Sequence, residues 1–187
     1  MAQPASSSSP LAVVALRPAQ PADAAVLRRW RTESSVGRHQ PLGDVTSAQL
    51  RAELAGHRPE ALYRGSGDKF QWIITADHEP AGWITMVVTN WDHGLAEFGY
   101  ALATDYQNRG LMAAAIEQLL ADLFLNTNIE RLEARCSVEN VASQKVLVKL
   151  GFRHEGLLRG YFRLRGERVD NYLYAMLRED YLALVPR

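Results

Sequence analysis

A glycine-containing turn at the start of a long apolar helix is the segment of this sequence best suited to bind an anion. A β-rich run at residues 95–102 leads into polar residues 105–109, and Gly110 opens a helical pattern. Free N–H groups and the positive end of the helix dipole favour phosphate at such a position. Gly110 would allow close approach of the backbone, and the side chains of Gln107 and Arg109 could contact phosphate oxygens. The turn therefore fits a pyrophosphate group.

Better-known nucleotide-binding sequences are absent from this turn. No Gly-Lys-Ser/Thr ends it, as in a Walker loop, and it lacks the three glycines of the dinucleotide fingerprint. Many strand-to-helix turns contain one glycine and bind nothing. A second motif is needed to distinguish a phosphate site from an ordinary turn.

That second motif is a strand–helix segment downstream of the turn. Asn140 and Ser143 have N-x-x-S spacing, and residues 149–156 have the sequence K-L-G-F-R-H-E-G. Together with residues 107–112, Q-N-R-G-L-M, this segment resembles the GNAT superfamily of N-acetyltransferases, whose acetyl-CoA motif is Gln/Arg-x-x-Gly-x-Gly/Ala. Met112 departs from that motif. A methionine at this position resembles the turn of the ribosomal-protein N-terminal acetyltransferases of the RimJ and RimL type. The resemblance extends over residues 16–181, including a closing hairpin.

The resemblance implies acetyl-CoA as cosubstrate and a defined set of residues that bind it. The pantetheine arm would lie between two splayed strands, residues 97–102 and 132–138, and would pair with the first of them as an added strand does. The pyrophosphate would lie on the turn. The residues expected to bind the cofactor are Tyr100, Ala101, Leu102, Gln107, Asn108, Arg109, Gly110, Leu111, Met112 and Asn140.

Two residues are expected to be catalytic from the same resemblance. Ser143 would protonate the leaving thiolate, although a polar residue that caps a helix also explains it. Glu97 would accept a proton through water, although a solvated charge on a strand also explains it. Some members of the ribosomal-protein branch place another carboxylate on the penultimate strand, where this chain has Phe162 beside Tyr161.

The acceptor implied by the resemblance is a primary amine that attacks acetyl-CoA directly in a ternary complex. At pH 7 an α-amine with a pKa near 8 is about a tenth neutral, whereas a lysine near 10.4 is neutral in under about one molecule in a thousand. An N-terminal α-amine therefore makes the smaller demand on a general base. The resemblance makes the N-termini of ribosomal proteins the leading class of substrate. The alternatives are a small amine (a polyamine, an amino acid or an aminoglycoside), a non-catalytic acyl-CoA-binding module, and a purely structural domain.

Composition limits the partners further. The chain has 21 basic and 21 acidic residues among 187, so no overall charge attracts nucleic acid or an anionic membrane. The single cysteine, Cys136, cannot form an internal disulfide, and no Cys or His spacing indicates a metal site. A cytoplasmic protein without metal is expected, and monomer and homodimer are equal alternatives.

The predicted elements place the two motifs on one α+β sheet, mixed and largely antiparallel, with helices on both faces. The predicted order is β-α-α-β-β-β-α-β-α-β-β. Residues 1–10, rich in Ser, Ala and Pro, are expected to be a disordered tail before a single N-acetyltransferase domain at residues 11–187. The predicted strands are residues 11–17, 70–76, 81–89, 95–102, 131–138, 152–162 and 169–177, and the predicted helices are residues 22–34 and 46–56, a long helix from residue 110, and residues 141–150.

Overall fold

The computed structural model describes residues 12–185, in which seven strands form one sheet; the predicted tail at residues 1–10 lies outside the described residues. The spatial order is β1-β2-β3-β4-β5-β7-β6, and β4 and β5 form a parallel pair within an otherwise antiparallel set of described strands. The mixed, largely antiparallel sheet is the one that the sequence predicts. The strands are β1 (Val14–Pro18), β2 (Lys69–Ala76), β3 (Glu79–Asn90), β4 (Leu95–Leu102), β5 (Arg131–Ser137), β6 (Arg153–Leu164) and β7 (Glu167–Leu177).

Six α-helices accompany these strands in the described part of the chain. None of them is long and apolar enough to cross a membrane. They are α1 (Ala24–Arg31), α2 (Ser34–Gly37), α3 (Ser47–Ala55), α4 (Leu111–Asn126), α5 (Val141–Lys149) and α6 (Arg178–Leu184), with short 3-10 turns at Pro21–Asp23, Pro59–Arg64 and Thr104–Tyr106.

The predicted helix at residues 22–34 is wrong in its extent, because the chain breaks it before α2. Glu33 has an extended conformation, with φ −68° and ψ 129°. Its carboxylate accepts hydrogen bonds from the backbone and the side chain of Thr104, at 2.7 and 2.6 Å. A long-range contact therefore interrupts the helix and fixes α2 beside the end of β4. The sequence prediction also missed α6, a helix of seven residues whose two leucines are exposed.

The helices cover both faces of the sheet, as predicted. Successive strand residues point to opposite faces, so Ile73 and Trp83 pack with α1, α2 and α3, whereas Ile74 and Ile84 pack with α4 and α5. On the first face the rings of Trp30 and Trp83 are stacked, with centroids 6.2 Å apart and planes at 9°. Two cores therefore hold the sheet rigidly from both sides.

The parallel pair β4 and β5 separates halfway along its length. Its register ends with Phe98 opposite Ala134. Beyond that point β4 stays paired with β3 as far as Leu102, and β5 stays paired with β7 as far as Ser137. Each strand therefore follows its outer neighbour, and a gap opens between their carboxyl ends, where splayed strands are expected from the family resemblance.

Because Gly82 on β3 has no side chain, the backbone at the end of β4 can lie directly against it. A Cβ atom at this position would be 2.3 Å from the carbonyl oxygen of Ala101 and 2.9 Å from the Cα of Leu102, both backbone atoms. At Gly99 on β4, by contrast, a Cβ would meet no atom within 4 Å. The two glycines therefore differ in how much space surrounds them.

We expect Gly82→Ala to destabilise the protein by about 1–3 kcal/mol, because the added methyl must displace backbone. At about 2–4 °C per kcal/mol for a chain of this size, thermal unfolding should shift by several degrees. Gly99→Ala is the matched control and should shift the melting temperature much less. Equal melting temperatures for the two variants would contradict this account of the β3–β4 contact.

Candidate active site

Two cavities lie along the gap between β4 and β5. The helix-side cavity, about 810 Å³, follows the amino-terminal ends of α4 and α5. The hairpin-side cavity, about 570 Å³, is lined by β4, β5 and the β6–β7 hairpin. Residues that line both cavities mark the place where they meet, which we call the junction: His39, Gln40, Tyr100, Asn140 and Ser143.

The turn before α4 presents backbone N–H groups to the helix-side cavity. Asn108 and Gly110 both have positive φ, 59° and 76°, and no side chain caps the start of α4. The first N–H groups of a helix have no partner within it, and Leu111, Met112 and Ala113 line the cavity. The start of α4 is thus uncapped and lies beside the cavity, and anion binding there stays a prediction.

Basic side chains surround the same cavity. Arg38 approaches from the loop after α2, and Lys145 and Lys149 approach from α5. Three cations beside an uncapped helix terminus create a positive field in a protein whose total charge is zero. The helix-side cavity is therefore suited to a ligand with several phosphates.

The side chains of Gln107 and Arg109 have structural partners. The Gln107 amide donates to the carbonyl of Leu102 at 3.0 Å and to the Ser35 hydroxyl at 3.2 Å. The Arg109 guanidinium lies 5.5 Å from the centroid of the Tyr106 ring. In this geometry Gln107 holds the turn against β4, and Arg109 is absent from the cavity lining.

Two carbonyl groups at the end of β4 face the gap. Ala103 donates to Ala81 on the β3 side at 2.9 Å, and by the alternation of backbone groups in a strand the carbonyls of Tyr100 and Leu102 point the other way. The Gln40 amide donates to the Tyr100 carbonyl at 2.7 Å. This edge of β4 is therefore the place where an amide-containing arm could pair with the backbone.

A pair of hydroxyl groups lies at the junction. The phenol oxygen of Tyr100 is 2.8 Å from the Ser143 hydroxyl oxygen, and burial raises the pKa of Tyr100 although the bond to Ser143 opposes the rise. The phenol therefore stays protonated at neutral pH and can donate to Ser143. The Ser143 proton is then available for a ligand atom.

Asn140 fixes the position of Ser143. Its side-chain oxygen accepts the Ser143 N–H at 3.1 Å and caps α5. The capping residue is thus Asn140, and Ser143 is three residues further on with its hydroxyl on Tyr100. The sequence assigns Asn140 to cofactor binding. In the structure this residue lines both cavities and also caps α5.

Cys136 lies beside the Tyr100–Ser143 pair, but its thiol does not have the properties of a nucleophile. The residue is buried, and burial raises the pKa of its thiol to about 11, although Ser143 opposes the rise. A thiol at that pKa is protonated at neutral pH and reacts slowly. Cys136 therefore packs as a small apolar residue at the junction.

An ion pair occupies the hairpin-side cavity. The Glu97 carboxylate binds the Arg135 guanidinium, which also contacts Glu133 at 3.2 Å and lies 5.3 Å from the centroid of the Tyr161 ring. Glu97 and Glu133 are opposite each other in the parallel register, and Arg135, with Arg131 at 2.8 Å from Glu133, offsets the two like charges. Phe162 lines the cavity next to Tyr161.

The structure brings together most of the residues that the sequence singles out. Ten of the twelve line the helix-side cavity, while Glu97 lines the other cavity and Arg109 lines neither. Sequence reasoning missed the roles of His39 and Gln40, which lie in a loop without periodicity, and the hydroxyl of Tyr100. The sequence could have indicated the role of Arg135, because two glutamates that face each other on neighbouring strands need a cation between them. Among the described residues, no cluster of His, Cys, Asp and Glu is arranged to hold a metal ion.

Comparison with known proteins identifies similar sequences. The family model of the acetyltransferase (GNAT) domain matches residues 14–153. The N-acetyltransferase p20 of Bacillus licheniformis is 27% identical over 166 residues, which cover 89% of this chain and 93% of p20. The spermidine N(1)-acetyltransferase of Escherichia coli is 28% identical over 113 residues, which cover 60% of this chain and 61% of that enzyme.

Solved structures share the fold. RimJ of Mycobacterium smegmatis, in complex with CoA-disulfide, has a TM-score of 0.78 and 28% identity, and the match covers 93% of this chain and 90% of RimJ. The ribosomal α-N-protein acetyltransferase RimL, in complex with coenzyme A, has a TM-score of 0.76 and 21% identity, with 88% of this chain and 93% of RimL covered.

Proposed function

This chain belongs to the acetyltransferase (GNAT) domain family, and we propose that it transfers acetyl from acetyl-CoA to the N-terminal α-amine of a protein or peptide. The observation that carries the proposal is the meeting of a cation-lined cavity and an aromatic-lined cavity at the Tyr100–Ser143 pair. Two substrates entering from opposite sides would bring their reacting atoms together there.

In this proposal acetyl-CoA occupies the helix-side cavity. Its pyrophosphate would lie on the N–H groups after Gly110, near Lys145 and Lys149. The pantetheine amides would pair with the edge of β4, where the Tyr100 carbonyl has a second lone pair beside the one that accepts from Gln40. The solved complexes of RimJ and RimL with CoA-disulfide and coenzyme A support this choice of cosubstrate.

The thioester would then lie at the junction, where Ser143 can act as the acid. The amine lone pair forms the new C–N bond, and the tetrahedral intermediate collapses with loss of the C–S bond. The Ser143 hydroxyl gives its proton to the leaving sulfur, and Tyr100 returns a proton to Ser143 through their 2.8 Å contact. The proton that the attacking nitrogen loses as the amide forms restores the phenol. No acetyl group is attached to the protein at any step.

The acceptor class follows from the charge of the hairpin-side cavity. In the described part of the chain, Glu97 is the carboxylate that lines it, and Arg135 neutralises that charge. The other walls include Pro41, Leu42 and Phe162. A polyamine needs several free carboxylates, whereas the first residues of a peptide can pack on apolar and aromatic walls. We therefore place ribosomal-protein N-termini first, by analogy with RimJ and RimL.

The role proposed from sequence for Glu97 requires its ion pair to open. Arg135 holds the Oε2 atom of the carboxylate, so a proton that arrives there competes with the guanidinium. The pair fits a positioning role better, since it fixes Arg135 over the ring of Tyr161 at the cavity wall.

The experiment that tests the proposed function is acetyl transfer to a panel of amines, followed by mass spectrometry. Peptides with a free N-terminus should be acetylated with a kcat/KM at least about ten-fold above that of spermidine, because the cavity has no net negative charge. The matched control is the same peptide with a blocked N-terminus and an internal lysine, which should react slowly. A preference for spermidine would assign the chain to small amines, and acetyl-CoA binding with no turnover would leave a non-catalytic module.

The Tyr100–Ser143 pair predicts a pattern of kinetic defects. Ser143→Ala should lower kcat by roughly 100-fold while the KM for acetyl-CoA changes little, since a general acid acts in the transition state. Tyr100→Phe keeps the ring and should give a smaller defect of the same kind. The double variant should be no slower than Ser143→Ala, because the two hydroxyls act as one relay. An unchanged kcat for Ser143→Ala would exclude the relay.

A further inference from the structure

A loop crosses the gap at the junction and places a histidine between the two cavities. The Gln40 amide fixes this loop by its 2.7 Å bond to the Tyr100 carbonyl. The preceding residue, His39, lines the helix-side cavity on one side and the hairpin-side cavity on the other. His39 is half-buried. Its ring is therefore close to both of the substrates that the proposed function brings together.

The other titratable groups at this place are poorly suited to accept a proton. Arg135 engages the Glu97 carboxylate. Burial raises the pKa values of Tyr100 and Cys136, so both groups are protonated at neutral pH. The lysines and arginines of the two cavities are hydrogen-bond donors without a lone pair. Among the described residues that line both cavities, His39 is the one whose side chain is a base near neutral pH.

The surroundings of His39 keep its ring neutral. Burial lowers its pKa, and the charge of Arg38 on the same loop lowers it further. Glu139, from the loop before α5, opposes this effect, and Arg165, from the β6–β7 turn, adds to it. The Glu97–Arg135 pair faces the ring across the hairpin-side cavity without net charge. At pH 7 the imidazole is therefore predominantly unprotonated and basic.

We propose that His39 is the general base that removes a proton from the acceptor ammonium group, directly or through one water molecule. This inference rests on the proposed function. The substrate R–NH₃⁺ gives one proton to an imidazole nitrogen, and the neutral amine attacks the thioester carbonyl. As the amide forms, the nitrogen gives a second proton through water to the Tyr100–Ser143 pair, which has lost one to the leaving sulfur. One proton in total ends on the CoA thiol by way of Ser143, and the other passes to solvent when His39 is deprotonated again.

The test is the pH profile of kcat/KM for wild type and His39→Gln with an accepted peptide. Wild-type kcat/KM should fall as the pH drops through the His39 pKa, below about 6.5. His39→Gln should be slower by roughly 100-fold at pH 7. The defect should shrink above about pH 9, where the α-amine is already neutral. A fluorinated amine that is neutral at pH 7 should likewise react with both proteins at similar rates.

His57→Gln is the matched control. His57 is also half-buried with a pKa that burial lowers, but it lies beside α3 and lines neither cavity. It should change neither the rate nor the pH profile. Melting temperature and acetyl-CoA binding, measured on both variants, identify any loss of folding.

The outcomes separate the two hypotheses. A folded His39→Gln with the wild-type profile would overturn the role of His39 and leave the proposed function intact. A defect of equal size at every pH would also overturn it, since it would indicate a purely structural effect. Absence of acetyl transfer by wild type to every amine would overturn the proposed function, and the base with it.

Discussion

The site depends on a single interruption of the sheet, the loss of pairing between β4 and β5 after Phe98 and Ala134. A parallel pair inside a sheet normally uses all of its backbone groups. Here the outer partners β3 and β7 hold the two strands on diverging courses to Leu102 and Ser137. The gap exposes the carbonyls at the end of β4 and gives the protein space for two cavities that share one wall.

Electrostatics distinguishes the two ends of this gap. The helix-side cavity combines free N–H groups with Arg38, Lys145 and Lys149, so its field is positive. The hairpin-side cavity holds the Glu97–Arg135 pair, so its field is close to neutral. A polyanionic donor and an uncharged or singly charged acceptor would therefore select opposite ends. Their reacting groups would meet where the protein places hydroxyl groups and an imidazole.

Local signals in the sequence predicted much of this arrangement. The bounds of β4 are those predicted, and α4 and α5 begin within one residue of the predicted positions, Gly110 and Val141, because helix starts depend on neighbouring residues. Contacts between distant segments could not be predicted in this way. The Tyr100–Ser143 bond spans 43 residues, and the Glu33–Thr104 contact that breaks the first helix spans 71.

The same limit explains why the polar side chains were harder to assign than the elements. Gln107 has the position of a family phosphate ligand, yet its amide is engaged by Leu102 and Ser35. His39 lies in an irregular loop whose place over the gap depends on one bond from Gln40. The sequence around these residues has no periodicity that indicates which groups they face.

The central claim is that the cation-lined cavity at the start of α4 binds acetyl-CoA, and calorimetric titration of CoA into wild type, Gly110→Asn and Gly110→Asp tests it most directly. Asn and Asp are nearly isosteric and both tolerate positive φ, and a side chain at residue 110 meets no atom within 4 Å of its Cβ. The account predicts similar binding by wild type and the Asn variant, and at least about ten-fold weaker binding by the Asp variant, lessened by salt. Equal affinities for Asn and Asp, or no binding by wild type, would contradict it.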